Sequence, residues 1–200
     1  MNVPYQIGAP GFQDPVAQSQ ATFRHLMDAI AHPALPRAFT SRTASCGPLS
    51  ANATAVLLTL VDQDTPLWLD QALASSDEVR NFVAFHCGAP LVTDPSRAAF
   101  AFFADAQAMS PLTRFALGEH DYPDRSTTIV AQVDCFSSEG PGFSGPGVSG
   151  ARRFGFIPAP ADFSSQWALN SAGFPLGLDI FLIGSTELAA LPRSLRLTEV

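Results

Sequence analysis

Ser126-Thr127-Thr128-Ile129-Val130-Ala131-Gln132-Val133 is the stretch on which the fold turns. Its β-branched residues, with no Gly or Pro inside the run, make it the clearest strand in the chain. Working outward, Leu178 to Gly184 (LDIFLIG), Ala99 to Phe103, Pro90 to Thr93 and Pro66 to Leu69 (PLWL) read as further short strands. Ala55 to Val61 (AVLLTLV) is nearly unbroken apolar sequence. Its length suits a strand buried on both faces, although periodicity alone leaves a buried helix segment open. Ser194 to Val200 alternates and is expected to add an edge strand.

Helical signals lie between these runs. Asp14-Pro15 is a helix start: Asp accepts first-turn amide hydrogens, and Pro at the first position loses nothing. Val16, Phe23, Leu26, Met27 and Ile30 then follow at helical spacing until Pro33. Ser75 and Glu78 have capping-box spacing ahead of Val79, Phe82 and Val83, with a stop near Cys87-Gly88. Ser110-Pro111 opens a short helix ending at Gly118, and Ala161 to Asn170 reads as another. Residues 1–14 form an irregular lead-in, and the Gly/Pro-rich Gly140 to Gly150 reads as a loop rather than a seam. Alternating helices and apolar strands predict one α/β domain over 1–200, a three-layer mixed sheet covered by helices.

The composition narrows the function. Only 14% of residues are charged, against about 25% in ordinary soluble domains, and 46% are hydrophobic, with 16 Phe. So few charges imply a large core or apolar surface covered by partners. The net charge is −7, and every one of the 11 cationic residues is Arg. A broad basic face for nucleic acid is therefore not expected. With no Lys in the chain there is no Schiff-base, P-loop or kinase lysine. Cys46, Cys87 and Cys135 are scattered and odd in number, which speaks against disulfides or a zinc ribbon and for reduced thiols. The first residues lack a signal-peptide pattern, and no apolar run reaches the ~20 residues of a membrane span. The expectation is a soluble, cytoplasmic protein.

Candidate chemistry is sparse. Asp62 and Asp64 follow an apparent buried strand, where α/β folds bind ligands, and two carboxylates so spaced suit Mg²⁺ on a nucleotide. A turn in which Asp binds backbone amides accounts for them equally well in chemistry and more often in practice. His86-Cys87-Gly88 reads as a thiolate–imidazole pair, as a helix-end anion site, or as helix-end packing and capping, and free Cys is usually a small buried hydrophobe. His25, His32, His86 and His120 lack metal-ligand spacing, so no metal is expected. The loop at Gly140 to Gly150 followed by Arg152-Arg153 hints at a phosphate cradle, but Pro141 and Pro146 remove amide donors. His120-Asp121-Tyr122-Pro123-Asp124-Arg125 places acid, imidazole and guanidinium before the best strand, either as a polar site or as an ion pair of Arg125 with Asp121 or Asp124. Asp62, Asp64, His86 and Arg125 are the substrate-binding candidates; no catalytic residue is assigned.

Several segments together resemble the PhnH family. Phe23-Arg24-His25-Leu26-Met27-Asp28-Ala29-Ile30 with His32-Pro33 is similar to its FRxLMxAMxxPG opening. Leu57 through Leu69 resembles its LLTLxDxDTPxWL signature, and Phe85 through Val92 its FHTxAPLV. Ser126 to Val133 sits where the family has an SATLxLQV-like strand, and Gly145-Pro146-Gly147-Val148 resembles its GPGI turn. Phe174 to Phe181 matches FPLGxDLIL, and Leu191-Pro192-Arg193-Ser194 matches LPRTT. The matches run in order from residue 23 to 194. Ala34 stands where a Gly usually follows the first Pro, and Cys87 replaces a Thr, which counts against a catalytic thiol there.

The resemblance implies a fold akin to the large domain of PLP-dependent transferases without a PLP site, and the absence of Lys agrees. It implies a homodimer without cofactor, placed in the carbon–phosphorus lyase core complex with PhnG, PhnI and PhnJ. With PhnG, PhnI and PhnL, such chains are required to transfer the ribose-triphosphate moiety of ATP to a phosphonate. The expected role is that of an accessory subunit. A stand-alone Mg-dependent phosphate-ester or nucleotide-binding enzyme and a homodimeric small-molecule binder are the alternatives.

Overall fold

In a computed structural model, residues 9–109 and 111–199 are described. The lead-in before Ala9, Ser110 and Val200 lie outside them. The central strand is β4 (Thr128–Gln132), flanked in parallel by β3 (Phe100–Phe103) and β7 (Asp179–Ile183). Val130 pairs with Phe102 and Phe181 in register and shares one face with them; Ile129 and Ala131 share the other with Ala101, Phe103, Ile180 and Leu182. Burial on both faces is why the run is continuously apolar rather than alternating. β2 (Leu67–Leu69) adds in parallel outside β3; β8 (Glu187–Leu191) pairs antiparallel with β7, and β1 (Arg37–Ala38) with β8. The mixed six-stranded sheet has the order β1-β8-β7-β4-β3-β2.

One face is covered by helices. α1 (Pro15–Ala31) begins as expected, with Asp14 accepting from the Ala17 amide, and buries Leu26 and Ala29. The apolar stripe is only half used, since Val16, Phe23 and Met27 remain exposed. Ala55 to Val61 takes the helical alternative in place of the strand. It belongs to α2 (Ala51–Leu60), whose N-cap Ser50 accepts from the Ala53 amide. Residues 52–57 are all buried, so α2 shows no polar face and no helical period for a sequence reading to find. The short α3 (Gln71–Ala74) and α4 (Asp77–His86) complete this layer; the cap of α4 is Ser76, one residue later than the Ser75–Glu78 spacing placed it.

The other face departs from the expected all-helical cover. A three-stranded antiparallel sheet lies there, β5 (Cys135–Ser144) between β6 (Arg152–Ile157) and β9 (Arg196–Thr198), together with α5 (Phe163–Ala172). β5 runs through half of the stretch read as a loop. Its register breaks between Ser137 and Gly142, and a Cβ at Gly140 would come within 2.1 Å of the Phe154 carbonyl oxygen. Glycine there admits close backbone approach at a bulge. The segment Ser194 to Val200 does supply an edge strand, β9, but to this smaller sheet. Pro90 to Thr93 reduces to one bridge between Leu91 and Leu67, and the helix expected from Ser110 is a 3₁₀ turn at Leu112–Arg114.

Ala34, in the position the family fills with Gly, has φ 54°. This left-handed backbone is the conformation glycine adopts freely and alanine resists. Its methyl is buried, and its amide donates to Ala190 O at 3.0 Å.

Candidate functional site

Asp62 and Asp64 lie between α2 and β2, so they precede a parallel strand instead of following one. Asp62-Gln63-Asp64-Thr65 is a turn built from its own polar atoms. The Asp62 amide donates to Thr65 Oγ1 at 2.6 Å, the Thr65 hydroxyl to Asp62 O at 2.8 Å, and the Asp64 amide to Asp62 Oδ1 at 3.0 Å. This is the local competition for backbone groups that makes Asp and Thr turn formers. Both carboxylate residues remain exposed.

His86 ends α4, beside that turn: the Gln63 Cβ is 3.7 Å from where a Cβ on Gly88 would be. Its Nε2 lies 3.2 Å from the Ala9 carbonyl oxygen, and its ring is 4.3 Å from Phe82 and 4.8 Å from Phe85. At Gly11, a Cβ would fall 2.9 Å from the imidazole. His86 thus fastens the 9–12 segment onto α4. The adjoining Cys87 is buried, and its thiol is pushed up to about 11, by burial first and then by the Asp62 charge. Cys46 is likewise pushed up to about 11, by burial and then Glu78. A nucleophile or metal ligand needs the thiolate, which neither supplies near neutral pH.

Arg125 closes a 3₁₀ turn, Pro123–Arg125, just before β4. Among the described residues it forms no ion pair with Asp121 or Asp124; its guanidinium instead sits 3.9 Å over the Tyr122 ring. β3 separates β2 from β4, so the strands that follow the Asp62 turn and Arg125 run roughly 10 Å apart across the sheet. Beneath the loop, Arg193 donates through Nη1 to Pro123 O at 2.7 Å and forks onto Asp179, with Nη2 at 2.5 Å and Nε at 3.2 Å. Arg152 is also committed, donating to Pro33 O at 2.8 Å. Asp62, Asp64 and His86 therefore share one corner, and Arg125 stands apart.

The opposite edge, at the C-terminal ends of the strands, is where α/β sheets usually hold ligands. Here the chain's own side chains fill it. Gln132 accepts from the Ser50 amide at 2.7 Å and donates to Pro48 O and Ala104 O. Asp70 accepts from the Leu73 and Ala104 amides at 2.8 and 2.9 Å. Asn52 donates to Phe39 O, Gly184 O and Ser185 O and accepts from the Ser41 amide. The N-termini of α2 and α3, which would otherwise attract an anion, are thus capped from within. These residues escaped the sequence reading, although an Asn inside an apolar helix and a Gln closing an apolar strand were the available signals. Among the described residues, no group of three His, Cys, Asp or Glu is placed to hold a metal, and no helix is long and apolar enough to cross a membrane.

Comparison with known proteins gives consistent matches. The family model described as bacterial phosphonate metabolism protein (PhnH) matches residues 10–198. A protein of Rhizobium meliloti (strain 1021), named alpha-D-ribose 1-methylphosphonate 5-triphosphate synthase subunit PhnH, is 37% identical over 98% of both chains. A Stutzerimonas stutzeri protein named putative C-P lyase subunit protein HtxG is 30% identical, over 88% of this chain and 84% of its own.

Proposed function

This chain belongs to the PhnH family of bacterial phosphonate metabolism proteins, and on that premise we propose that it serves as a subunit of a cytoplasmic carbon–phosphorus lyase assembly. Its task there is to complete the machinery that moves the ribose-triphosphate moiety of ATP onto a phosphonate, alongside PhnG, PhnI and PhnJ, with PhnL acting in the same step. It contributes surface and architecture, as a homodimer whose fold is akin to the large domain of PLP-dependent transferases without a PLP site. The names of both relatives, each a subunit, support this reading. The observation that carries it is the filled crevice: Gln132, Asp70 and Asn52 occupy the edge where a nucleotide would bind. The chain has no Lys, so no internal aldimine forms on it.

A second reading keeps the solvent-open corner in play. Asp62, Asp64 and His86 are exposed together, and a substrate or Mg²⁺-nucleotide contacted directly by this chain would meet them first, with Arg125 further along the edge. Add-back reconstitution separates the readings. Partner subunits alone are expected to turn over no ATP and phosphonate, and adding this chain restores the activity. Undiminished turnover without it would refute the proposal, and turnover by the isolated chain would favour the second reading.

A further inference from the structure

We propose that the recess between the β5 bulge and the start of α5 is a binding site for a small organic cation, an ammonium group on a short apolar body. Glu139 supplies the counter-charge, and Phe154, Phe156 and Phe163 supply the aromatic wall.

The recess holds about 250 Å³, several times the ~30 Å³ that one water takes up in the liquid. None of Asp62, Asp64, His86 and Arg125 lines it, nor does any side chain of the filled crevice. The ladder between β5 and β6 breaks register between Ser137 and Gly142, and Glu139 stands within that break, exposed. Bulges of this kind re-aim a side chain and recur beside binding sites. Phe154 and Phe156 come from β6, and Phe163 is the first residue of α5. Phe156 and Phe163 meet edge-to-face at 4.9 Å, and Phe163 is stacked on the buried Trp167 at 6.0 Å. The wall is therefore fixed by the aromatic core behind it.

The polar atoms select for positive charge. Among the described residues, Glu139 is the one ionisable side chain that lines the recess; Arg152 and Arg153, at the start of β6, do not. Several of the donors that an anion would need are missing or already engaged. Pro141 and Pro160 have no amide hydrogen. The Glu139 amide donates to Ser137 Oγ at 2.9 Å, and the Phe163 amide to Pro160 O at 3.1 Å. Asp162, exposed at the N-terminal end of α5, adds a second carboxylate near the rim and accepts from Gln166 Nε2 at 2.6 Å. A carboxylate beside phenyl rings is a combination that holds ammonium groups, because the ring quadrupole attracts the cation and the apolar body leaves water. A phosphate or nucleotide would meet Glu139 with no cationic side chain to offset it.

The test titrates choline, and separately its uncharged carbon isostere dimethylbutanol, into the isotope-labelled full chain at constant ionic strength, with amide NMR shifts as the readout. Saturable shifts centred on Gly140, Gly155 and Ser164 are expected, with a choline Kd of about 1–10 mM. Choline should bind at least about fivefold tighter than the alcohol, the margin a cation gains over aromatic rings. Glu139→Gln should weaken choline about threefold, in the range of an exposed charge contact, and leave the alcohol unchanged. Ser164→Phe, at the exposed rim, should fill the recess and remove binding of both. Both substitutions fall at exposed positions that the fold tolerates. No saturable shift with choline, equal affinity for the two ligands, or wild-type choline affinity in both variants would overturn the site. The result is separate from that of add-back reconstitution, since neither variant alters the Asp62 corner or the filled crevice.

Discussion

Trp167→Ala is expected to lower stability by about 4 kcal/mol, in the range for deleting a buried indole. For a chain this size, that shifts Tm by roughly 8–16 °C. The indole is fully buried between α5 and β5, stacked on Phe163 at 6.0 Å and edge-on to Phe143 at 6.3 Å, and donates to Leu195 O at 3.2 Å. Alanine would leave both a cavity and an unpaired buried carbonyl. Trp167→Phe keeps most of the packing and should lose only about 1–2 kcal/mol, mainly the hydrogen bond. Denaturant unfolding monitored by far-UV CD reads both; a loss under about 1 kcal/mol for the alanine variant would contradict the packing described.

Asp179→Ala ranks second, at about 3 kcal/mol, or roughly 6–12 °C in Tm. Asp179 accepts from the Arg193 backbone amide at 2.8 Å as well as from the guanidinium, and the two side chains are only 23% and 15% exposed. Without the carboxylate, Arg193 becomes a poorly solvated charge, and breaking one partner of such a pair costs more than the pair contributes. Through Pro123 the same arginine holds the loop that carries Arg125, so that loop should become protease-sensitive in the variant. Asp179→Ala and Arg193→Ala should be strongly non-additive, because each removes the same interaction. Additive losses would contradict the pairing.

Much of this fold is legible from local signals because local chemistry decides it. Asp14-Pro15 and Pro33 bound α1, and Thr128 to Gln132 forms the strand that its β-branched residues demand. The failures have physical causes. α2 is buried all round, so its pattern is the same as that of a buried strand, and only Ser50 as a cap distinguishes it. β5 passes through Gly140-Pro141-Gly142 because a bulge brings two backbones within a distance that only glycine tolerates. β8, Glu-Leu-Ala-Ala-Leu, consists of good helix formers held extended by β7 and β1. Ala34 in left-handed backbone shows the family's glycine preference as a conformational demand that persists after the glycine is gone.

The candidate site was legible only as a set of polar residues. That Asp62 and Thr65 bind each other is a local fact and readable in principle. That His86 reaches Ala9, that Gln132 reaches Ser50, and that Arg193 reaches both Asp179 and Pro123 depends on the assembled tertiary structure, with no trace in spacing. The segments resembling the family's signatures are in several cases the two ends of such ties: Asp179 and Arg193 belong to different motifs and meet only in the folded chain.

The central claim is that this chain contributes architecture to phosphonate turnover and no reacting group. It is tested most directly by add-back of a variant carrying Asp62→Ala, Asp64→Ala, His86→Ala and Arg125→Ala to the partner subunits, with ATP and a phosphonate as substrates and co-sedimentation confirming assembly. The account predicts kcat within about threefold of wild type, because it assigns none of the four a contact with a reacting atom. An assembled complex whose kcat falls by about 100-fold or more, the loss typical of removing an acid–base or charge-stabilising group, would contradict it.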